Sequence, residues 1–119
     1  MEGYILIVDD RKVFRASIKN ILIKKGFDTI GISSGKMALE RIRQKDIDFV
    51  ILRHNLPDWS GLKTLKKIKS EFDDVKVICV DDNLDYSIRN QYQENGIDAI
   101  VAKKDFWGRT DQVIKNYFS

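Results

Sequence analysis

The amino-acid sequence predicts an α/β fold in which a parallel sheet carries helices on both of its faces. Short apolar runs of strand length alternate with segments whose apolar residues recur at helical spacing, in five units of roughly 20 to 25 residues. Several of these runs are continuous, which is typical of strands that are buried on both faces. Charged residues directly follow four of the runs, at the edge of a parallel sheet where ligands bind. Together these observations predict a single domain over residues 1–119.

The first half of the chain contains three predicted strands and two predicted helices. The strands are residues 4–8, residues 27–32, which the polar Asp28 places at the sheet edge, and residues 49–52. The first helix is expected to end near Gly26 and the second to begin at residues 33–35. The residues predicted to face the core from these helices are Val13, Phe14, Ile18, Ile21, Leu22, Met37, Ala38, Leu39 and Ile42.

The second half of the chain adds two strands, at residues 75–80 and 99–102, and three helices, the first of them capped by Ser60. The apolar positions of these helices are Leu62, Leu65, Ile68 and Phe72, then Leu84, Ile88 and Tyr92, and finally Val113, Ile114, Tyr117 and Phe118. The lysines of the third helix lie mostly on its other faces: Lys63, Lys66, Lys67 and Lys69.

Composition restricts the class of protein. Apolar residues make up 43% and charged residues 33% of the chain, and no apolar run approaches the roughly 18 residues of a membrane span. The single cysteine, Cys79, excludes a disulfide framework and fits a reducing compartment, so we expect a cytoplasmic domain with no membrane contact. The net charge of +3, with both signs interspersed, is weak evidence for nucleic-acid binding, because a solvated surface is the commoner reason for such a charge.

The most informative stretch runs from Asp48 to Gly61 (DFVILRHNLPDWSG). A buried strand ends in Arg53, and the turn-forming segment LPDWSG then leads into a helix. This stretch resembles the third strand and following loop of the receiver domains of two-component response regulators, where the strand ends in an aspartate that accepts a phosphoryl group. The resemblance covers essentially the whole chain. It implies a doubly wound (βα)5, CheY-like and flavodoxin-like three-layer sandwich with strand order 2-1-3-4-5.

The resemblance implies roles for residues at other strand ends. Asp9 and Asp10 match the acidic pair that holds Mg²⁺ together with the acceptor aspartate in this family, and Lys103 matches the lysine that contacts the phosphoryl group. The resemblance also implies a metal site formed by Asp9, Asp10 and Asn55, which in this chain is expected to be a remnant that no longer binds a metal ion. The order and spacing of these matches identify the fold, whereas activity depends on the positions that differ.

Three positions of the phosphorylation site and its conformational switch depart from the family. Arg53 stands at the acceptor position, Asp81 replaces the Thr or Ser of the conformational switch, and Ile100 replaces the switch aromatic. Because a guanidinium stays protonated and has no free lone pair, Arg53 cannot be the nucleophile of phosphoryl transfer. Neither half of the Thr–aromatic switch remains. The resemblance therefore indicates a degenerate receiver, or pseudo-receiver, without a catalytic residue.

The charges at the strand ends also argue against a metal ion. Asp9, Asp10 and Asp81 face Arg53 and Lys103, which leaves a formal charge of −1, and Arg53 occupies space near the metal position. We therefore expect no cofactor, with Mg²⁺ binding lost or weak. Arg53 should bridge to at least one of the three carboxylates, and a salt bridge to Asp81 on the neighbouring strand is one such pair. Replacing Arg53 with aspartate should lower stability until Mg²⁺ is added.

Some residues of the loop and of the last strand have simpler interpretations. His54, the only histidine, and Asp58 are alternative phosphoryl acceptors, but no nucleophile–base pair supports either of them. The Lys103–Lys104 bond stands where the family has Lys-Pro, and it is expected to be trans because a cis bond without proline costs about 2.5–4 kcal/mol.

The sequence is best explained as an atypical receiver of two-component-type signalling that is not an enzyme and acts by phosphorylation-independent protein–protein interaction. The expected partner surface is residues 84–118, and a second copy of the chain is one candidate partner. Two alternatives stay open. One is a nucleic-acid-binding module that uses the lysines of the third helix. The other is a conventional receiver whose acceptor aspartate was replaced by engineering, although Asp81 and Ile100 argue against a single introduced change.

Overall fold

A five-stranded parallel sheet forms the centre of the molecule. The structure, a computed structural model, describes residues 3–118, and among these the side chains of all except residues 110, 111, 117 and 118. The strands are β1 (Tyr4–Val8), β2 (Thr29–Ile32), β3 (Ile47–Leu52), β4 (Lys76–Val80) and β5 (Ala99–Val101). Their order in the sheet is β2-β1-β3-β4-β5, with every neighbouring pair parallel. The predicted fold class and strand order are therefore confirmed.

Six helices occupy the described residues, where the sequence predicts five. They are α1 (Lys12–Lys24), α2 (Gly35–Gln44), α3 (Gly61–Glu71), α4 (Tyr86–Glu94), α5 (Lys103–Gly108) and α6 (Thr110–Phe118). The unpredicted helix, α5, begins directly after β5 and is anchored by the fully buried Phe106. Ser60 caps α3 as predicted, its Oγ accepting a hydrogen bond from the Lys63 N–H at 3.1 Å. The described backbone has no cis peptide bond, as expected for Lys103–Lys104.

The two faces of the sheet carry separate apolar clusters. One face packs against α1, α5 and α6 through Ile18, Leu22, Phe106 and Ile114, together with the strand residues Ile5, Ile7, Phe49, Ile51, Ile78 and Val80. The other face packs against α2, α3 and α4 through residues that include Leu39, Ile42, Leu65, Ile68 and Tyr92. None of the helices in the described part of the chain is long and apolar enough to cross a membrane.

Two predicted core positions are wrong. Val13 and Met37 are exposed, although both belong to apolar helical patterns. Val13 lies five residues before the buried Ile18, and Met37 lies five residues before the buried Ile42. Five residues correspond to roughly 140° around a helix, so these side chains turn away from the sheet.

Other predicted positions shift at the ends of elements. Phe72 and Leu84 lie just outside α3 and α4 but pack against the core as expected. β2 begins two residues later than predicted, because the Phe27 N–H donates to the Leu22 carbonyl oxygen in the turn after α1. The predicted inward positions Tyr117 and Phe118 lie outside the described side chains.

Candidate functional site

The charged residues that follow four strands meet at one edge of the sheet. Backbone hydrogen bonds continue past the strand ends and hold these residues side by side. The Arg53 N–H donates to the Val8 carbonyl oxygen, and the Asp81 N–H donates to the Val101 carbonyl oxygen, both at 3.1 Å. The carboxyl edge therefore carries Asp9 and Asp10 after β1, Arg53 after β3, Asp81 after β4 and Lys103 after β5, as the sequence predicts.

Arg53 forms an ion pair with Asp10. Its Nη1 lies 2.5 Å from Asp10 Oδ1, and the two side chains are 22% and 35% exposed. The expected bridge to one of three carboxylates is thus present. The suggested pairing with Asp81 is wrong, because the Asp81 carboxylate turns into its own loop and accepts the Asn83 N–H at 2.9 Å.

Arg11 is a second cation at the site, and the sequence analysis missed it. Its Nε and Nη2 donate to Asp9 Oδ1 and Oδ2 at 3.0 and 2.8 Å, and its backbone N–H also donates to Oδ1 at 2.9 Å. The hydrogen bonds to Asp9 raise the pKa of Arg11, although partial burial opposes this. The carboxylate of the buried Asp9 is therefore held by its own chain neighbour. A cation two residues after a buried aspartate was the available signal.

Lys103 lies beside an aromatic ring. Its backbone N–H donates to Asp82 Oδ1 at 2.7 Å, and its Nζ lies 5.5 Å from the centroid of the Phe14 ring. The Arg11 guanidinium carbon lies 4.3 Å from the same centroid, and Trp107 of α5 packs edge-on against the ring. Phe14 thus holds two of the site cations, at a distance typical of cation–π contacts.

The residues present do not fit a magnesium ion. Magnesium requires near-octahedral oxygen ligands, usually from one or two carboxylates. Here Arg11 binds both oxygens of Asp9, Arg53 binds Asp10, and a guanidinium stands where a third carboxylate would be needed. Arg11 is a positive charge that the sequence-based sum of −1 did not include, and Asp82, whose carboxylate accepts the Lys103 N–H, is a further negative charge at this edge. Asn55, the remaining remnant residue, is exposed, and the described residues contain no cluster of three or more metal-ligating side chains of the His, Cys, Asp or Glu type.

The switch-position residues have structural surroundings of their own. Asp81 is half-buried at the end of β4, and Ile100 in β5 is half-buried and packs against the cluster that contains Tyr92.

His54 connects the loop after β3 to the core. Its Nδ1 lies 2.7 Å from the hydroxyl oxygen of Tyr92, a fully buried residue of α4. Burial raises the pKa of the Tyr92 hydroxyl, so that group stays protonated. Gly61 lies against this hydroxyl, since a Cβ on Gly61 would lie 2.4 Å from Tyr92 Oη and 2.5 Å from the Arg53 carbonyl oxygen. This loop is therefore fixed by close packing to α4.

Asp58 caps a neighbouring helix. Its two carboxylate oxygens each accept a backbone hydrogen bond at 2.9 Å, from Gly35 and from Lys36 at the start of α2. Desolvation raises the pKa of Asp58, but these backbone donors outweigh it, and the pKa of the carboxyl lies below its ordinary value. Both oxygens are thus engaged in a structural role.

The lysines of α3 do not form one uniform surface. Lys63 and Lys67 lie over the Trp59 ring, with their Nζ atoms 5.4 and 5.9 Å from its centroid. Lys69 points elsewhere, donating to the Val75 carbonyl oxygen at 2.8 Å and pairing with Asp98 at 3.2 Å.

Comparison with known proteins places these features in a family context. The family profile described as the response regulator receiver domain matches residues 5–110. The chain is 35% identical over 108 residues to the chemotaxis protein CheY of Bacillus subtilis, which covers 89% of this chain and 84% of that protein. It is 40% identical over 76 residues to a protein-glutamate methylesterase/protein-glutamine glutaminase of Trichodesmium erythraeum, but the match spans only 22% of that protein.

A solved structure shows the same fold. The receiver domain of a sensor histidine kinase from Pseudomonas aeruginosa superposes with a TM-score of 0.86 over 98% of both chains, at 18% identity. That structure is described with a magnesium ion coordinated in its active site cleft. At this level of identity the likeness supports the fold alone.

Proposed function

This chain belongs to the response regulator receiver domain family of two-component signalling, and from that premise we propose that it is a receiver that works without phosphorylation. One observation carries the proposal. The guanidinium of Arg53, which the resemblance assigns to the acceptor position, forms an ion pair with Asp10. The domain then acts by binding another protein in one fixed state, with no catalytic activity, no cofactor and a cytoplasmic site of action.

The chemistry of the acceptor position supports this proposal. Phosphoryl transfer to a receiver forms a bond between a carboxylate oxygen and phosphorus, while the bond from phosphorus to the donor's leaving group breaks in line with it. Arg53 offers no such lone pair, and the nearby carboxylates of Asp9 and Asp10 are paired with arginines. Asp58, the remaining carboxylate of the loop, uses both oxygens to cap α2.

Intact-mass spectrometry tests the proposal. After incubation with excess acetyl phosphate and Mg²⁺, the protein should show no gain of about 80 Da, the mass of one phosphoryl group. The Bacillus subtilis CheY protein treated in parallel serves as the comparison. A stoichiometric, acid-labile adduct on this chain would overturn the proposal, and mapping it to Asp58 would identify a surrogate acceptor.

We place the partner surface on residues 84–118. Tyr86, the first residue of α4, is 80% exposed, and exposed aromatic residues often anchor protein interfaces. A groove of about 260 Å³ lies between β5 and the helices α5 and α6, lined by Ile100, Asp105, Arg109 and other residues. These features suit a protein partner or a second copy of the chain.

Sedimentation velocity over a range of protein concentrations tests the second copy as the partner. If copies associate through this surface, Tyr86→Ser should weaken the association. Val13→Ser is the matched control, because Val13 is also 80% exposed but lies on α1, outside the proposed surface. Equal effects of the two substitutions would contradict this placement of the interface.

The alternative function is nucleic-acid binding through α3. The observation that favours it is the pair of exposed lysines, Lys63 and Lys67, beside the Trp59 ring. Because phosphate contacts release counterions, such binding would weaken steeply as salt is raised. A salt titration of affinity for random-sequence DNA decides this, and a steep slope that is lost in Lys63→Ala would favour the alternative.

A further inference from the structure

We propose that Arg11 and Arg53 act as a matched pair of tethered cations that together replace the divalent metal ion, and that Arg11 by itself keeps a metal away from Asp9. The inference rests on the proposed function, because it explains how the acidic pair of an unphosphorylated receiver is neutralised. It adds Arg11, a residue that the family resemblance does not assign. It also changes what reversion of Arg53 is expected to do.

The charges and contacts match one to one. A divalent ion would bring two positive charges to Asp9 and Asp10, and the two guanidinium groups bring the same number. The Arg11 guanidinium donates two hydrogen bonds to the Asp9 carboxylate, at 3.0 and 2.8 Å, and the Arg53 guanidinium donates one to the Asp10 carboxylate, at 2.5 Å. Two-point guanidinium–carboxylate contacts are among the stronger hydrogen-bonded pairs, because both groups are planar and charged.

Arg11 is held in place from several sides. Its backbone N–H donates to the same Asp9 carboxylate at 2.9 Å, and its guanidinium carbon lies 4.3 Å from the Phe14 ring centroid. Since it is only two residues from Asp9, little chain entropy is lost when the contact forms. A metal ion that binds Asp9 would have to displace Arg11. Arg53, by contrast, reaches Asp10 from a different strand, 43 residues away in the sequence.

A single reversion at residue 53 should therefore fail to restore metal binding. Arg53→Asp frees Asp10 and adds a carboxylate, but Asp9 keeps both oxygens bound to Arg11. The sequence alone leads to the opposite expectation, because it does not reveal the Arg11 contact. Arg53→Asp leaves two free carboxylates but not Asp9, whereas removal of both arginines frees the Asp9 oxygens as well, so that three carboxylates can hold a magnesium ion together.

The test compares Mg²⁺ binding among five proteins by titration calorimetry. They are the parent, Arg53→Asp, Arg11→Gln, the double variant Arg11→Gln/Arg53→Asp, and a control double variant Arg15→Gln/Arg53→Asp. Arg15 is the matched control because its Nη1 donates at 2.7 Å to the Asp9 backbone carbonyl and not to the carboxylate. Water-proton relaxation with Mn²⁺ provides an independent readout of the same site.

We expect saturable millimolar binding in the Arg11→Gln/Arg53→Asp variant, and binding about tenfold weaker or undetectable in the other four proteins. The inference is overturned if Arg53→Asp alone binds as tightly as that double variant, if the Arg15 control binds as tightly, or if the double variant binds no metal. Saturable binding by the parent would also overturn the inference, whereas the proposed function fails separately, on an acid-labile phosphoryl adduct in the mass-spectrometric test. Should the double variant unfold in EDTA, Arg53→Asn replaces Arg53→Asp throughout, since it adds an oxygen ligand without a further negative charge.

Discussion

Removing the Arg53 side chain should destabilise the domain by about 1–2 kcal/mol. Fully exposed ion pairs contribute about 0–1 kcal/mol, whereas breaking a buried pair costs roughly 3–5 kcal/mol. The Arg53–Asp10 pair lies between these limits, because its side chains are 22% and 35% exposed. Arg53→Ala leaves Asp10 close to other carboxylates with one cation fewer. With a urea m-value of about 2 kcal/mol/M, in the middle of the usual range for small domains, the unfolding midpoint should fall by roughly 0.5–1 M.

Urea unfolding, followed by far-UV circular dichroism at pH 7, measures this effect. The loss of stability caused by Arg53→Ala should be smaller in 1 M salt. At that ionic strength the Debye length is about 3 Å, so salt screens the partly exposed charges of the pair. Arg43→Ala is the matched control, since Arg43 pairs with Glu71 where the side chains are 49% and 38% exposed. We expect no measurable shift from that change. If Arg53→Ala lowers the midpoint no more than Arg43→Ala does, Arg53 does not neutralise the acidic site.

Three further predictions concern the loop after β3. Gly61→Ala should cost about 1–3 kcal/mol in urea melts, because the new methyl group would collide with Tyr92 Oη at 2.4 Å, whereas Gly108→Ala, with no atom within 4 Å, should be nearly neutral. Tyr92→Phe should cost about 0.5–1.5 kcal/mol by removing the hydrogen bond to His54, and an unchanged midpoint would contradict that role. Asp58→Ala should cost about 0.5–1 kcal/mol at pH 7. Because the pKa of Asp58 is lowered in the folded state, the stability lost in Asp58→Ala should be fully present above the ordinary aspartate pKa and should fade as the pH falls below about 4. A stability difference between the two proteins that grew on acidification would refute this prediction.

The fold was predictable because its signals are local and repeated. Continuous apolar strands, helical apolar spacing and the Ser60 cap each specify an element without long-range information. Two core positions were predicted wrongly, Val13 and Met37, because apolar residues also occur on the exposed side of their helices. The helix α5 was not predicted, because its six residues are too few to show helical apolar spacing. The strand order came from the resemblance and not from spacing.

The candidate site was predictable in its membership but only partly in its pairing. Strand ends fix which backbone positions meet, so Asp10 and Arg53 were expected together. Which partner a flexible side chain chooses depends on loop geometry, and Asp81 bonds within its own loop instead of reaching Arg53. Arg11 was missed because sequence counting considered only the residues that the family resemblance names, while the contact with Asp9 is a local one.

The central claim is that paired arginines hold this site in one state that neither a metal ion nor a phosphoryl donor alters. Amide proton–nitrogen correlation spectra of the labelled parent protein, recorded before and after millimolar Mg²⁺ and then excess acetyl phosphate, test it most directly. The account predicts that the amide signals of Asp9, Asp10, Arg53 and the residues of α4 stay where they are through both additions. Saturable shifts of the strand-end amides with Mg²⁺, or a second set of α4 signals after the phosphoryl donor, would contradict it.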